Sequence, residues 1–168
     1  MRFGSIRRVA FLLWVLGLTS CAPPPPVSSP APTAVDRVAQ NKATMQRWVD
    51  EGHNRGRLDI IGEIFSPDYR GHSPGSEPAD FKKLVEIERG FHEAFPDVHI
   101  TTEQIVAEGD WVTTRWTLAG TYKLTGKRIA VTGMTMARFA NGKIVEDWQN
   151  MDTFGLMKQL ETVPTTAK

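Results

Sequence analysis

Four segments rich in Val, Ile, Thr, Trp and Met follow one another in the second half of the chain, and they constrain the fold most strongly. They read HITTEQIVAEGD, WVTTRWTLAGTYK, RIAVTGMTMARF and KIVEDWQNMD, and the turn-like sequences EGD, TGK and NGK separate them. β-Branched and aromatic residues favour strands, and short connections containing Gly or Asn favour hairpins. The pattern therefore predicts an antiparallel meander of four strands.

The first half of the chain has helical periodicity instead. Apolar residues recur at helical spacing over about 35–51 and predict a first helix. LDIIGEIF predicts a short second helix, YRGH predicts a brief edge strand, and Pro78 suits the start of a third helix. TFGLMKQL predicts a final short helix. Three helices ahead of a strongly bent antiparallel sheet predict an α+β fold with a pocket between the two layers.

Residues 1–20 have the composition of a secretory signal peptide. Arginines precede VAFLLWVLGL, an apolar run shorter than the roughly 20 residues that a membrane-spanning helix needs. The next four residues, LTSC, resemble the bacterial lipobox, in which the Cys becomes the lipidated first residue of the mature chain. Cys21 is the only cysteine, so the alternative is a free thiol near an ordinary cleavage site. We expect an exported protein that is lipid-anchored to a bacterial membrane of the cell envelope.

The remaining chain divides into a linker, one domain and a tail. Residues 21–34 comprise the lipidated Cys and a Pro-rich linker, since APPPPVSSPAPT cannot build a packed core. The domain covers 35–161, and 162–168 form a flexible tail. The chain has 20 Lys and Arg against 19 Asp and Glu, and three arginines leave with the signal, so the mature formal charge is −2. Without a basic stripe, binding to nucleic acid is poorly supported.

Several short motifs run through the folded part in a fixed order. They are PD after the third helix, the EGD turn, the Arg in VTTRW, the GT after the second long strand, and the ending E-x-W-x-x-x-D-x-x-G-L-x-x-Q-L. In this order and spacing, over about 38–161, they resemble the SnoaL-like polyketide (ester) cyclases of the nuclear transport factor 2-like superfamily. The resemblance implies a cone-shaped fold with three N-terminal helices packed on a curved antiparallel sheet, and an internal pocket.

The resemblance also implies a chemistry. Cyclases of this type catalyse an intramolecular aldol ring closure without a metal or an organic cofactor. An Asp near the end of the last strand acts as the base that removes an acidic C–H proton, and Asp152 is the matching position. Active cyclases carry polar residues, a His among them, on the preceding strand. This chain has Met134 and Met136 there, so the donors that would stabilise an enolate are replaced.

The residues around Asp152 allow two interpretations. Trp148 and Asp152 lie an even number of residues apart, so a regular strand would point both to the same side. That face then lines a cavity, where a desolvated carboxylate can act as a base oriented by Asn150 and Trp148. Alternatively, the strand ends before Asp152 and the carboxylate caps the last helix. Both roles can hold at once.

Other side chains are candidates for substrate binding. Arg115 binds a substrate carboxylate or an acid such as Asp152 if it faces inward, and is a solvated charge if it faces outward. His72 lies either at the pocket mouth as an acid, base or donor, or simply exposed in a loop. We expect the pocket lining to comprise Trp48, Phe91, Trp148 and Met134 or Met136.

Metal and nucleophile motifs are weak in this sequence. The four histidines, His53, His72, His92 and His99, are scattered without an H-x-x-x-H or Cys/His cluster. No Gly-rich phosphate loop or G-x-S-x-G motif is present. Any enzyme activity is therefore expected to use acid–base chemistry alone, with no cofactor.

Two functions remain open at this point. The first is an acid–base pocket enzyme of the cyclase or isomerase type that acts on a small apolar carbonyl compound. The second is a non-catalytic lipoprotein that binds a hydrophobic small molecule or a protein partner. The expected partners are a small apolar molecule and, through the lipid, a membrane, and a homodimer is a further candidate because antiparallel sheets of this kind often pair.

Overall fold

The computed structural model describes residues 33–162. The predicted signal peptide, Cys21 and most of the Pro-rich linker lie outside the described residues. No helix within the described part is long and apolar enough to cross a membrane. The elements are helices α1 (Ala34–Arg47), α2 (Ile61–Ile64), α3 (Phe81–Ala94) and α4 (Thr153–Gln159), and strands β1 (Phe65–His72), β2 (Ala79–Asp80), β3 (His99–Glu108), β4 (Trp111–Thr121), β5 (Arg128–Ala140) and β6 (Lys143–Met151).

Helix α1 begins with a capping box and ends in a wider turn. The Thr33 hydroxyl accepts a hydrogen bond from the Asp36 N–H, and the Asp36 carboxylate accepts one from the Thr33 N–H. The predicted first helix continues beyond Arg47 as a π-helical segment, Trp48–His53, in which the Asn54 N–H bonds to the Val49 carbonyl. Such i→i+5 segments are rare and cluster at functional sites.

The sheet has the strand order β2-β1-β6-β5-β4-β3. The antiparallel meander of the last four strands is confirmed. The expected antiparallel sheet is mixed in one place, because β1 pairs in parallel with β6. The YRGH strand exists within β1, but β2 takes the edge position beside it. The fold is therefore α+β, with four helices on a curved, mixed six-stranded sheet.

A bulge in β6 decides which residues face the helices. Arg138 pairs with Glu146 and the next β5 residue, Phe139, pairs with Ile144, so β6 holds one extra residue, Val145, at this point. Ile144 is buried on the concave face. Because the bulge shifts the alternation by one residue, Asp147 also points to the concave face. Glu146 and Trp148 consequently point to the convex face.

The core lies between the helices and the concave face in two clusters. One cluster joins α1, α2 and the start of α3 with β1 and with parts of β4, β5 and β6, and the other joins the segment after α3 with β3, β4 and β5. On β4 the buried residues alternate strictly with outward-facing ones. The buried members include Val112, Thr114, Trp116 and Leu118, and the outward ones are Trp111, Thr113, Arg115 and Thr117.

Candidate active site

An interior cavity of about 70 Å³ lies between the helices and the concave face of the sheet. Eight of its fifteen lining residues are apolar, and the other seven bring polar or titratable side chains to it. A second cavity of about 110 Å³, next to β1 and β2, shares part of the same lining and forms the mouth. The residues common to both are Tyr69, Leu84, Glu88, Asp147 and Gln149.

Asp147 and Tyr69 form the central polar pair of this cavity. The Tyr69 hydroxyl donates a hydrogen bond to Asp147 Oδ1 over 2.9 Å. Burial raises the pKa of Asp147 to about 6, against the opposing effects of the Tyr69 hydrogen bond and of His72. Burial and the neighbouring Asp147 also raise the pKa of Tyr69, which therefore stays a protonated donor. The pair places a carboxylate that titrates near neutral pH inside an apolar pocket.

A glycine makes room for this pair. Gly71 is buried on β1 two residues after Tyr69, and a Cβ at position 71 would overlap the Tyr69 hydroxyl. Its neighbour across the sheet is Asp147, in the parallel register of β1 and β6. A side chain here would push the hydroxyl away from the carboxylate that it contacts.

A second polar group, formed by His53, Glu88 and His92, lies on the helical side. His53 Nδ1 lies 3.6 Å from Glu88 Oε2, and both side chains are 13% exposed. Burial, with the Asp147 charge, raises the pKa of Glu88 to about 8. Burial, with the neighbouring His92, lowers the pKa of His53 to about 3, and burial also lowers the pKa of His92. Without a bound cation, all three groups are therefore held in their neutral forms, and a cation that binds here displaces the Glu88 proton.

The π-helical segment positions His53. Its ring packs against Trp48 with centroids 4.7 Å apart and lies parallel to His92 at 6.1 Å. Asn54, the next residue, fixes the segment to β3: its amide donates to the Ile100 carbonyl over 2.9 Å and accepts from the Ile100 N–H over 2.7 Å. Two hydrogen bonds to one backbone residue lock the turn that carries His53.

The convex face of the sheet carries a separate open groove of about 690 Å³. Met134 and Met136 are 50% and 41% exposed there, beside Trp148. The expected single pocket is therefore divided: Trp48 lines the interior cavity, whereas Trp148, Met134 and Met136 line the outer groove. Phe91 lines neither and packs on Phe95 at 5.4 Å. The bulge in β6 turns Trp148 outward, and the alternation along β5 places Met134 and Met136 on the same outer face.

Asp152 lies at the surface and not in the interior cavity. β6 ends at Met151, and the exposed Asp152 side chain accepts a hydrogen bond from the Gly155 N–H over 2.8 Å as the N-cap of α4. The even spacing does put it on the side of Trp148, since both line the outer groove. The expectation of a desolvated carboxylate at Asp152 is wrong, and the capping interpretation describes its contacts.

Arg115 and His72 also lie outside the interior. Arg115 faces outward on β4 and pairs with Glu103 over 2.6 Å, so the inward orientation is wrong. His72, the last residue of β1, contributes to the mouth cavity; its ring stacks on Trp148 at 4.9 Å and contacts Glu146 over 3.0 Å. Glu146 in turn pairs with Arg138 over 2.9 Å. His72 is thus a rim residue held by convex-face partners.

Sequence reasoning missed Asp147, Tyr69, Glu88 and the histidine pair. One signal was available: Glu88 and His92 are four residues apart and share one face of a helix. Asp147 could not be chosen over Glu146 from the sequence, since the choice depends on the bulge.

The architecture and its interior pocket define a nuclear transport factor 2-like domain, and comparisons with known proteins agree. Residues 43–160 match the SnoaL-like polyketide cyclase family. The chain therefore belongs to the SnoaL-like polyketide cyclase family. A search of curated proteins finds no match.

Three bacterial proteins of known structure serve as examples of the similarity. AclR from Streptomyces galilaeus, a candidate hydroxylase, is 29% identical with a TM-score of 0.69, over 76% of this chain and 99% of AclR. IdmH from Streptomyces antibioticus, a candidate polyketide cyclase, is 28% identical with a TM-score of 0.67, over 73% of this chain and 99% of IdmH. A candidate SnoaL-like polyketide cyclase from Jannaschia sp. CCS1 is 22% identical with a TM-score of 0.70, over 82% of this chain and 99% of the Jannaschia chain. At this identity the similarity indicates a shared fold and nothing further.

Proposed function

We propose that this protein is an acid–base enzyme of the cyclase or isomerase type that acts on a small apolar carbonyl compound in the interior cavity, with Asp147 as the base. The observation that carries the proposal is the Asp147–Tyr69 pair, a carboxylate with a pKa of about 6 in an apolar pocket. A general base works best when its pKa lies near the operating pH. The step itself uses no organic cofactor.

The proposed step is the removal of a proton from the carbon next to the substrate carbonyl. The C–H bond breaks, Asp147 takes the proton, and the electron pair moves to the carbonyl oxygen as an enolate. In a cyclase the enolate carbon attacks a second carbonyl carbon, and the oxygen of that carbonyl takes the proton back from Asp147 as the new C–C bond forms. In an isomerase Asp147 returns the proton to another carbon of the enolate. The Tyr69 hydroxyl donates a hydrogen bond to Asp147 Oδ1. Within residues 33–162 no donor contacts Asp147 Oδ2, so Oδ2 is the oxygen that takes the substrate proton.

Deuterium exchange tests this step without knowledge of the natural substrate. We expect the full-length chain to speed exchange at the acidic carbon of small 1,3-diketones and β-keto esters in D₂O, followed by ¹H NMR. Replacing Asp147→Asn should reduce the enzymatic rate by about 10²–10⁴-fold. The matched control is Asp152→Asn, which keeps the helix cap and should leave the rate unchanged. Equal rates in wild type and Asp147→Asn, or sensitivity of the rate to Asp152→Asn alone, would refute Asp147 as the base.

A non-catalytic binding function is the second candidate, and the outer groove favours it. Exposed Met134 and Met136 beside Trp148 offer an apolar surface of the kind that binds a hydrophobic molecule or a protein partner. A binder of this type should quench or shift Trp148 fluorescence in wild type and Asp147→Asn alike. Loss of the response in Met134→Glu, with the fold retained, would assign it to the groove.

We also propose that the domain is exported and lipid-anchored through Cys21. The support is the sequence alone: a basic start, a short apolar run and LTSC, with no other cysteine to pair with. Metabolic labelling with an alkyne fatty acid should mark the wild-type chain in bacterial membranes and leave Cys21→Ser unlabelled. Equal labelling of both chains, or no labelling of either, would contradict the anchor.

A further inference from the structure

We infer that His53, Glu88 and His92 form a binding site for a divalent transition-metal ion on the helical side of the interior cavity. The ligand atoms are His53 Nδ1, a Glu88 carboxylate oxygen and a His92 ring nitrogen. They lie within 4.8 Å of one another. Ligands of a tetrahedral ion at about 2.0–2.2 Å lie roughly 3.3–3.6 Å apart, so small side-chain rotations close the set.

The burial of these atoms points to a ligand. His53 Nδ1, Glu88 Oε2 and His92 Nε2 are all inaccessible to solvent, and within the described part of the chain none has a hydrogen-bond partner. A buried polar group that has lost its hydrogen bonds to water and gained no other partner destabilises the folded state. Three such atoms in one cluster destabilise the folded state together, and a shared cation would satisfy all three at once.

The chain holds the three ligands on two rigid elements. Glu88 and His92 are one helical turn apart on α3, which Asp80 caps through the Lys83 N–H over 2.8 Å. His53 ends the π-helical segment that Asn54 fixes to Ile100. Ligands held by well-packed elements define a preorganised site.

The donor set selects the class of ion. Two imidazole nitrogens and one carboxylate oxygen suit Zn²⁺, Fe²⁺ or Co²⁺, whereas Mg²⁺ and Ca²⁺ prefer oxygen ligands alone. His53 and Glu88 also line the cavity that contains Asp147, so an open coordination position can face it. A role for the ion in polarising a substrate carbonyl rests on the function proposed above, but the binding of the ion does not.

Cobalt binding tests the site directly. The full-length chain, without a polyhistidine tag and stripped with EDTA, is titrated with Co²⁺ and then with Zn²⁺. We expect one ion per chain by elemental analysis, a visible Co²⁺ absorption band, and loss of that band when Zn²⁺ is added. Glu88→Gln and His92→Gln, which keep side-chain size, should weaken Co²⁺ binding by at least about 100-fold, since each removes one of three protein ligands.

The control is His99→Gln, because His99 is exposed and lies outside the cluster. It should bind Co²⁺ like the wild type. Circular dichroism identifies any variant that fails to fold, and the wild-type titration decides the question independently of the variants. A folded wild-type chain that binds no stoichiometric Co²⁺ or Zn²⁺ would overturn the inference, as would binding that survives both Glu88→Gln and His92→Gln. The metal titrations contain no substrate, so a failure to bind metal is distinct from a failure of the proposed enzyme activity.

Discussion

The Tyr69 hydroxyl contacts Asp147 Oδ1 at 2.9 Å and connects the two parallel strands of the sheet on their concave side. The contact stabilises the carboxylate, whereas burial opposes it, and burial has the larger effect because the pKa of Asp147 rises to about 6. Asp147 is therefore ionised at neutral pH at a cost to the folded state. Functional sites often carry such costs.

Replacing Asp147→Asn should stabilise the protein at high pH and not at low pH. The folded pKa of about 6 lies above the ordinary value of 3.8, so the native state binds more protons and loses stability as pH rises from about 4 to 6. Asn cannot ionise and still accepts from Tyr69. We expect a gain in the free energy of unfolding of roughly 1–3 kcal/mol at about pH 8, and none near pH 4.

Urea unfolding of both proteins across this pH range measures the difference. Glu88 from α3, His72 from β1 and Tyr69 face or contact Asp147 and remain in both proteins, so the comparison removes every contribution of theirs that does not depend on the Asp147 charge. A difference between the proteins that does not vary with pH would show that Asp147 titrates normally.

Tyr69→Phe should raise the pKa of Asp147 further, because the hydrogen bond from Tyr69 lowers it. Carboxyl ¹³C NMR titration should place the wild-type midpoint near 6 and the variant midpoint higher. The acid limb of any exchange activity should move to higher pH by the same amount, since the base must be ionised. An unchanged or lower midpoint would mean that the hydroxyl does not stabilise the carboxylate.

Gly71→Ala should disturb the same pair through sterics. The new methyl group would overlap the Tyr69 hydroxyl, so the ring must move away from Asp147. We expect a loss of about 1–3 kcal/mol in the free energy of unfolding, together with loss of exchange activity. Gly90→Ala is the control: it lies in α3 with open space around it and should be neutral or stabilise by up to about 1 kcal/mol. Equal effects of the two substitutions would exclude the steric explanation.

Asp152→Ala should reduce stability without affecting the interior site. The substitution removes the cap of α4, which costs about 1 kcal/mol. Asp152→Asn retains a capping oxygen and should lose only a small part of this free energy of unfolding. Thermal unfolding measures both, and a large activity loss in Asp152→Ala at unchanged stability would return Asp152 to the catalytic candidates.

Asn54→Ala should loosen the π-helical segment. It removes two partly buried hydrogen bonds to Ile100, at a cost of about 1–3 kcal/mol by urea unfolding. Arg57→Ala, which removes solvent-exposed ion pairs to Glu51 and Asp59, should lower the free energy of unfolding less than Asn54→Ala does. A smaller loss for Asn54→Ala than for Arg57→Ala would argue against this anchoring role.

The sequence alone predicted the meander, the helical first half, the helix after Pro78 and the final helix, because these follow from local periodicity and turn residues. It also predicted an α+β class with a pocket between the layers. It did not predict the parallel pairing of β1 with β6, which joins segments more than 70 residues apart.

The tertiary structure alone decided the candidate site. Alternation along a regular strand correctly predicts that Asp152 and Trp148 lie on the same side of the sheet. It does not predict whether that side faces the interior or the solvent. One extra residue in β6, Val145, inverts that assignment and selects Asp147. His53 likewise meets Glu88 and His92 only because the π-helical segment packs against α3. Local sequence determines the elements, whereas register and packing between distant segments determine which side chains share a cavity.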